Sequence, residues 1–158
     1  MKSAIKTGLN FGLTSGVITT LGLMVGLHSG TNSTLAVVGG IITIAIADSL
    51  SDALGIHISK EAEADVSNKE VWLATVVTLF TKMFMASTFI LPVLLFNLDQ
   101  AIAVGVVWGL LVLTVLSYYL AVSQGEKPLK VIMEHLAIAI FVVIATHYVG
   151  DWVAAEFV

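Results

Sequence analysis

The chain has 158 residues, of which 58% are hydrophobic and 11% are charged, and its mean hydropathy is +1.00. A soluble domain of this size carries about twice that charged fraction, so the composition excludes a water-soluble enzyme. The formal net charge of −4 and the absence of arginine argue against nucleic-acid binding, which needs a basic surface. Cysteine is also absent, which removes disulfides and thiolate metal ligands.

Five apolar segments follow one another along the chain, and each is long enough to cross a bilayer, which takes about 20 helical residues. They span residues 8–27, 35–58, 71–96, 100–122 and 129–153. Short polar stretches separate them, and no soluble insert is visible. We therefore predict an all-α membrane protein in which residues 1–158 form one domain of five transmembrane helices.

The lysines outside these segments predict the orientation of the protein in the membrane. With five crossings they all fall on one side: Lys2, Lys6, Lys60, Lys69, Lys127 and Lys130. Cytoplasmic loops carry an excess of lysine and arginine. We therefore expect a cytoplasmic amino terminus and an external carboxyl terminus. The protein would be a multi-pass protein of the cell membrane in a prokaryote, or of a vacuole or other organelle in a eukaryote.

The first apolar segment carries a ribbon of small residues on one side of its helix. The ribbon consists of Gly8, Gly12, Ser15, Gly16, Thr19, Gly22 and Gly26. Such ribbons allow two helix backbones to approach closely in lipid. Two interpretations stay open, namely packing within the chain and a homodimer seam.

Four ionisable residues lie within apolar segments, namely Asp48, Asp52, Lys82 and Glu134. Each costs roughly 2.5 to 3.5 kcal/mol on insertion scales, so each needs an explanation. The spacing of four places Asp48 and Asp52 on one helical face. Counting residues from the cytoplasmic ends places Asp48 and Lys82 near the bilayer midplane, where they can meet.

The same count places Asp52 and Glu134 closer to the cytoplasm, where they would form an acidic vestibule. The alternatives are structural: Asp48 and Lys82 form a packing ion pair, and Glu134 pairs with Lys130 one turn earlier. We favour that pairing for Glu134. For the two aspartates and Lys82 we favour function, because a buried ion pair is weak evidence for stability and Asp52 would be left unpaired.

Charge counting suggests what such a site would bind. If Lys82 cancels one aspartate, each protomer keeps a charge of about −1, and two facing protomers match one divalent cation. Carboxylate and hydroxyl oxygens suit hard or borderline ions such as Mn²⁺ and Fe²⁺. Met24 is a potential soft contact, although methionine in an apolar helix is more often packing filler.

Acidic residues also cluster at the cytoplasmic end of the second segment, at Glu61, Glu63, Asp65 and Glu70. They would either collect cations or form a solvated helix extension. Of the histidines, His135 would serve the vestibule or lie at the membrane interface. His147 and Asp151, one turn apart with His28 on the same side, would form a hydrogen-bonded cap or an exit site.

Several motifs resemble the vacuolar iron transporter family of Fe²⁺/Mn²⁺ carriers. They are the run from Gly8 to Gly16 in the first helix, the run from Ala53 to Ser59 that leads into the acidic stretch, Pro92, and the run from Thr146 to Gly150. The resemblance covers most of the chain. It implies a homodimer whose pathway is lined by the first two helices and which moves Fe²⁺ or Mn²⁺ out of the cytoplasm, with proton coupling.

The chain departs from that family at three points. Where the family has Asn-Asp-Gly in the first helix, this chain has Asn10-Phe11-Gly12, so the pathway aspartate is missing. Where the family often has methionine in the second helix, this chain has Asp52. The large glutamate-rich metal-binding insert of many eukaryotic members is absent.

Three hypotheses follow. In the leading one, Asp48 and Asp52 bind a divalent metal as cargo and Lys82 acts as coupling group or counter-ion, together with Glu134. The neutral ligands on helix one would be Asn10, Thr14 and Ser15. The alternatives are a non-transporting scaffold or sensor and a carrier of a non-metal solute with Lys82 as its counter-ion. We expect no enzymatic activity and no prosthetic group, because no catalytic motif is present.

Overall fold

The computed structural model describes residues 1–157 and is helical throughout that range apart from short connections. Its helices are α1 (Lys2–Thr31), α2 (Thr34–Glu61), α3 (Asn68–Thr88), α4 (Ile90–Leu95), α5 (Leu98–Gln124) and α6 (Pro128–Phe157). With α3 and α4 counted as one span, five helical spans are long and apolar enough to cross a membrane. The all-α fold and the five predicted spans are confirmed.

The helix ends follow from local sequence. Ser33 caps α2 by accepting a hydrogen bond from the Ala36 amide (3.3 Å), and Asn97 caps α5 through the Gln100 amide (3.0 Å). Gly125 ends α5 in the left-handed region at φ 73°, which favours glycine. The helices run beyond the predicted apolar segments because hydropathy marks the part in the bilayer, whereas caps and turns decide where a helix ends.

The third span is broken, which the sequence analysis did not predict. Pro92 lacks an amide hydrogen, and its ring clashes with the carbonyl four residues earlier, which belongs to Thr88. Helix α3 ends at Thr88, and α4 begins at Ile90. The acidic extension of the second helix is also shorter than the sequence analysis allowed, because α2 ends at Glu61 and a turn follows.

Helix α1 is the centre of the bundle, since it packs against α2, α3, α5 and α6. Its glycines make this possible. A Cβ on Gly8 would lie 2.8 Å from the Ala74 carbonyl of α3, and one on Gly12 would lie 2.9 Å from the Thr78 carbonyl. Farther along α1, Gly26 lies against Thr146 of α6. The glycines of the ribbon therefore pack within the chain, while Thr19, Gly22 and Gly26 also line an open apolar groove of about 640 Å³.

One face of α2 has no partner within the described residues. It exposes small residues at intervals of four: Gly39, Thr43, Ala47, Ser51 and Gly55. A Cβ on Gly39 or Gly55 would meet nothing within 4 Å. This face, which we call the α2 stripe, lies beside Asp48 and Asp52 in the helix.

Because α1 and α6 lie so close together, adding one methyl group between them should destabilise the protein. A Cβ on Gly150 would lie 2.5 Å from the Gly26 carbonyl, so Gly150→Ala must push the helices apart. Overpacking costs about 1 to 3 kcal/mol, and we expect a lower melting temperature in detergent. The control Ala137→Leu enlarges an exposed position of the same helix as Gly150, outside the α2 stripe, and should melt near the wild-type temperature. Equal melting temperatures for the two variants would contradict the packing described.

Candidate functional site

Three helices contribute to a cluster of charged residues at the middle of the bundle. Ser15 lies near the midpoint of α1, Asp48 at the midpoint of α2, and Lys82 near the midpoint of the span formed by α3 and α4. Asp52 lies one turn after Asp48. A helix rises about 1.5 Å per residue, so the cluster lies close to the centre of a bilayer spanned by these helices.

The Lys82 ammonium is the buried centre of this cluster. The Lys82 side chain is 1% exposed, and its Nζ makes ion pairs with Oδ2 of both Asp48 and Asp52. It also donates a hydrogen bond to Ser15 Oγ (3.0 Å). An ammonium has three donors and no acceptor, and each of these contacts faces a different oxygen.

Ser15 completes the arrangement. Its hydroxyl accepts from Lys82 and donates to Asp52 Oδ2 at 2.6 Å, so it ties α1 to the ion pairs between α2 and α3. The Asp48 contact has the distance of an ion pair but not the angle of a hydrogen bond, and Asp48 Oδ2 is buried without a hydrogen-bond donor. The cluster is therefore tighter around Asp52 than around Asp48.

The prediction that Asp48 and Lys82 meet is confirmed, but the expectation that Asp52 stays unpaired is wrong. Counting along the helices placed Asp52 one turn away from Lys82. The lysine stem is flexible and long, and its ammonium reaches both carboxylates of the i, i+4 pair. Counting residues along a helix gives the depth of each Cα atom, but it does not include the length of the lysine side chain.

The outer oxygens of the two carboxylates are free. Neither Oδ1 atom accepts a hydrogen bond from the described residues, and neither is fully buried. The Asp48 and Asp52 side chains are 29% and 21% exposed, whereas Lys82 lies behind them. The accessible side of the cluster is therefore negative, and its formal charge is −1 from two carboxylates and one ammonium.

A groove reaches one of the two carboxylates, that of Asp48. It has a volume of about 440 Å³, runs between α1 and α2, and is lined mostly by apolar residues, with Thr43 also in its wall. Its other residues belong to the last turns of α1, such as Leu27, and the first turns of α2, such as Ala36. The groove therefore approaches Asp48 from the end of the bundle opposite Lys60 and Lys69.

Other predicted ligands lie elsewhere. Asn10 and Thr14 lie on a different side of α1, where they line a small cavity with Ser117 and His135. Met24 is fully buried in the core, and its side chain occupies the space beside Gly105 of α5. Of the neutral ligands expected from helix one, the structure brings Ser15 alone to the carboxylates.

Glu134 does not join a vestibule with Asp52. It lies exposed on α6, with its carboxylate 3.9 Å from the Lys130 ammonium, as in the structural alternative. At the same end of the bundle, Glu63 pairs with Lys60 (2.8 Å), and Glu70 contacts Ser67 (3.0 Å) and the Met1 amino group. Glu63, Asp65 and Glu70 line a shared cavity of about 160 Å³, whereas Glu61 is exposed at the end of α2.

The histidines at the opposite end divide into two pairs. His28 contacts Asp99 (2.9 Å) at the start of α5, and His147 lies 3.5 Å from Asp151, which also binds Ser29. The sequence pattern placed His28 on the same side as His147, but the contact of His28 is with Asp99, which that pattern did not single out. Within residues 1–157, no group of three or more His, Asp or Glu side chains is placed to hold a metal ion.

Comparison with known proteins does not assign this chain to a family or a function. No protein-family model matches the chain, and no curated protein matches it in sequence. The geometry of the cluster is therefore the main basis for a functional assignment, and the family resemblance remains a prediction.

The cluster predicts a distinctive pattern of stabilities. Removing one partner of a buried ion pair costs about 3 to 5 kcal/mol because the remaining charge loses its partner. Lys82→Met should therefore strongly lower the melting temperature of the purified protein. Adding Asp48→Asn and Asp52→Asn to Lys82→Met should recover most of the loss. A single variant as stable as wild type, or a triple variant no better than the single one, would contradict this arrangement.

Proposed function

We propose that this protein is a membrane transporter that moves a divalent transition metal, Fe²⁺ or Mn²⁺, out of the cytoplasm. The observation that carries the proposal is the pair of free Oδ1 atoms on Asp48 and Asp52 at the middle of the bundle. Charged groups at this depth are costly and usually mark ion pathways. Carboxylate oxygens favour hard and borderline cations.

The sign of the accessible surface favours a cation over an anion as cargo. Lys82 is almost completely covered and already contacts three oxygens. An anionic solute would have to displace both carboxylates to reach it. A cation meets the two Oδ1 atoms directly, so this placement argues against the carrier of a non-metal solute that uses Lys82 as counter-ion.

The strongest competitor is a membrane scaffold or sensor that keeps the fold without transport. The buried ion pairs would serve such a protein equally well. The free Oδ1 atoms distinguish the two proposals, because a purely structural cluster gains nothing from leaving carboxylate oxygens unpaired inside a membrane. The resemblance to vacuolar iron transporters supports the carrier and its coupling to protons.

We further propose that two chains pair through the α2 stripe rather than through the glycine ribbon of α1. Small residues at helix interfaces permit close packing in lipid, and the α2 stripe is exposed whereas the glycines of the ribbon pack within the chain. Pairing there would cover the Asp48 and Asp52 side chains and bring two clusters of formal charge −1 together. One divalent cation would balance both clusters. The amino terminus would be cytoplasmic, because the lysines outside the spans share that side.

Transport by reconstituted protein tests the carrier. Wild-type protein in liposomes should move Mn²⁺ in a proton gradient, and Asp52→Asn should reduce the rate to that of empty liposomes because a free carboxylate oxygen is replaced by a neutral amide. Glu126→Gln, in the exposed loop after α5, removes the same charge far from the cluster and should transport normally. Unchanged transport by Asp52→Asn would refute the proposed role of the cluster.

The absence of cysteine allows a clean test of the dimer. Ser51→Cys places one thiol in the middle of the α2 stripe, and oxidation in liposomes should give a disulfide-linked dimer, since such bonds require Cα atoms within about 7 Å. Phe141→Cys, on an exposed face of α6 at similar depth, is the matched control and should stay monomeric. Cross-linking at position 141 without cross-linking at position 51 would exclude this seam.

A further inference from the structure

A second polar site lies inside the bundle, on another side of α1 from the carboxylates. Asn10 and Thr14 of α1, Ser117 of α5 and His135 of α6 line a cavity of about 10 Å³. His135 lies seven residues into α6, about 10 Å from its cytoplasmic end. The cavity has room for about one water molecule, or for one ion that has exchanged its water ligands for these side chains.

The hydrogen bonds at this cavity determine the tautomer of His135. Ser117 Oγ donates its single proton to the Leu113 carbonyl (2.6 Å), so it can only accept from His135 Nδ1, 2.8 Å away. Nδ1 therefore carries the hydrogen of the neutral ring, and Nε2 keeps its lone pair. A partner on one ring nitrogen that orients the other is the usual second-shell arrangement of a metal-binding histidine.

The remaining polar groups of the cavity are also without partners. The side chains of Asn10 and Thr14 make no hydrogen bond within the part of the chain that the structure describes. Polar groups at membrane depth that lack a partner are costly. Asn10, Thr14 and His135 carry an amide oxygen, a hydroxyl and an imidazole nitrogen, and they line one small cavity together with Ser117, Leu116 and Leu120. These are donor groups that a borderline metal ion accepts as ligands.

The carboxylate cluster offers oxygen ligands only, and oxygen ligands alone suit Mg²⁺ and Ca²⁺ as well as Mn²⁺. An imidazole nitrogen favours transition metals. We propose that His135 Nε2, with the side-chain oxygens of Asn10 and Thr14, forms a second binding site that selects transition-metal ions over Mg²⁺ on the cytoplasmic half of the path. The inference rests on the proposed transport function and explains how the transporter would select its metal ion.

A matched histidine provides the control. His57 Nδ1 contacts Thr75 Oγ1 (3.0 Å), and Thr75 donates to the Val71 carbonyl (2.8 Å), so its hydrogen bonding matches that of His135. The His57 ring lies edge-on against Trp72, with ring centroids 4.7 Å apart, and we assign it no ligand. His57→Asn and His135→Asn thus each remove an imidazole ring with the same hydrogen bonding, one outside the cavity and one in its wall.

The test is titration of the purified full-length chain with Co²⁺, whose visible absorption reports nitrogen ligation, in excess Mg²⁺ to occupy the oxygen-only site. We expect wild type and His57→Asn to bind Co²⁺ with nitrogen ligation, and His135→Asn to bind it at least tenfold more weakly. The variant Asp48→Asn/Asp52→Asn/Lys82→Met should still bind Co²⁺ in this assay although it does not transport.

The outcomes separate the two proposals. Co²⁺ binding that is undetectable in wild type, or unaltered by His135→Asn, overturns the second site whatever the transport assay gives. If His135→Asn weakens Co²⁺ binding while Asp52→Asn transports normally, the second site stands and the carboxylate pathway fails. A selectivity measurement completes the test: in liposomes, His135→Asn should lower the ratio of Mn²⁺ to Mg²⁺ transport, and an unchanged ratio would contradict the selective role.

Discussion

The contact between the Lys82 ammonium and two carboxylates is the interaction on which the rest of the structure depends. It joins α2 to α3 at the middle of the bundle, and Ser15 extends it to α1. A lone charge in this position would lack any compensating partner and would therefore be costly. The three helices must therefore stay within reach of one another, and close packing between them is a condition for the cluster to exist.

The glycines of α1 meet that condition. Gly8, Gly12 and Gly16 let α3 approach until its carbonyls would contact any added Cβ, which brings Lys82 close to Ser15. The same helix uses Gly26 to receive α6. Because these glycines pack within the chain, the exposed α2 stripe is the surface that we propose for a second chain.

Much of the fold could be predicted from the sequence, since hydropathy and length define spans that lie in a bilayer. The break at Phe89 was missed because Pro92 lies near the end of an apolar run, where hydropathy does not register the lost hydrogen bond. The ion pair of Lys82 with Asp48 was predicted from depth. The second ion pair, between Lys82 and Asp52, depends on the length of the lysine side chain, which a count of residues along the helix does not include.

The site residues were predicted only in part, because helical spacing within one segment does not show which faces of different helices meet. Helical spacing predicted correctly that Asp48 and Asp52 share a face, but it could not say which face of α1 meets them, and Asn10 and Thr14 lie elsewhere. Ser117 was not singled out as the partner of His135. It lies eight residues before Gly125 and His135 ten residues after it, so counting outward from the turn of that hairpin would have paired them.

The proposed pathway requires the free oxygens of Asp48 and Asp52 to bind a divalent cation. An experimental structure of the protein saturated with Mn²⁺, with the metal located by its anomalous scattering, tests it most directly. We expect an anomalous peak in contact with Oδ1 of Asp48 or Asp52, between two chains that face each other through the α2 stripe. A structure at saturating Mn²⁺ with no peak at these carboxylates, and with their Oδ1 atoms against lipid or other side chains, would contradict it.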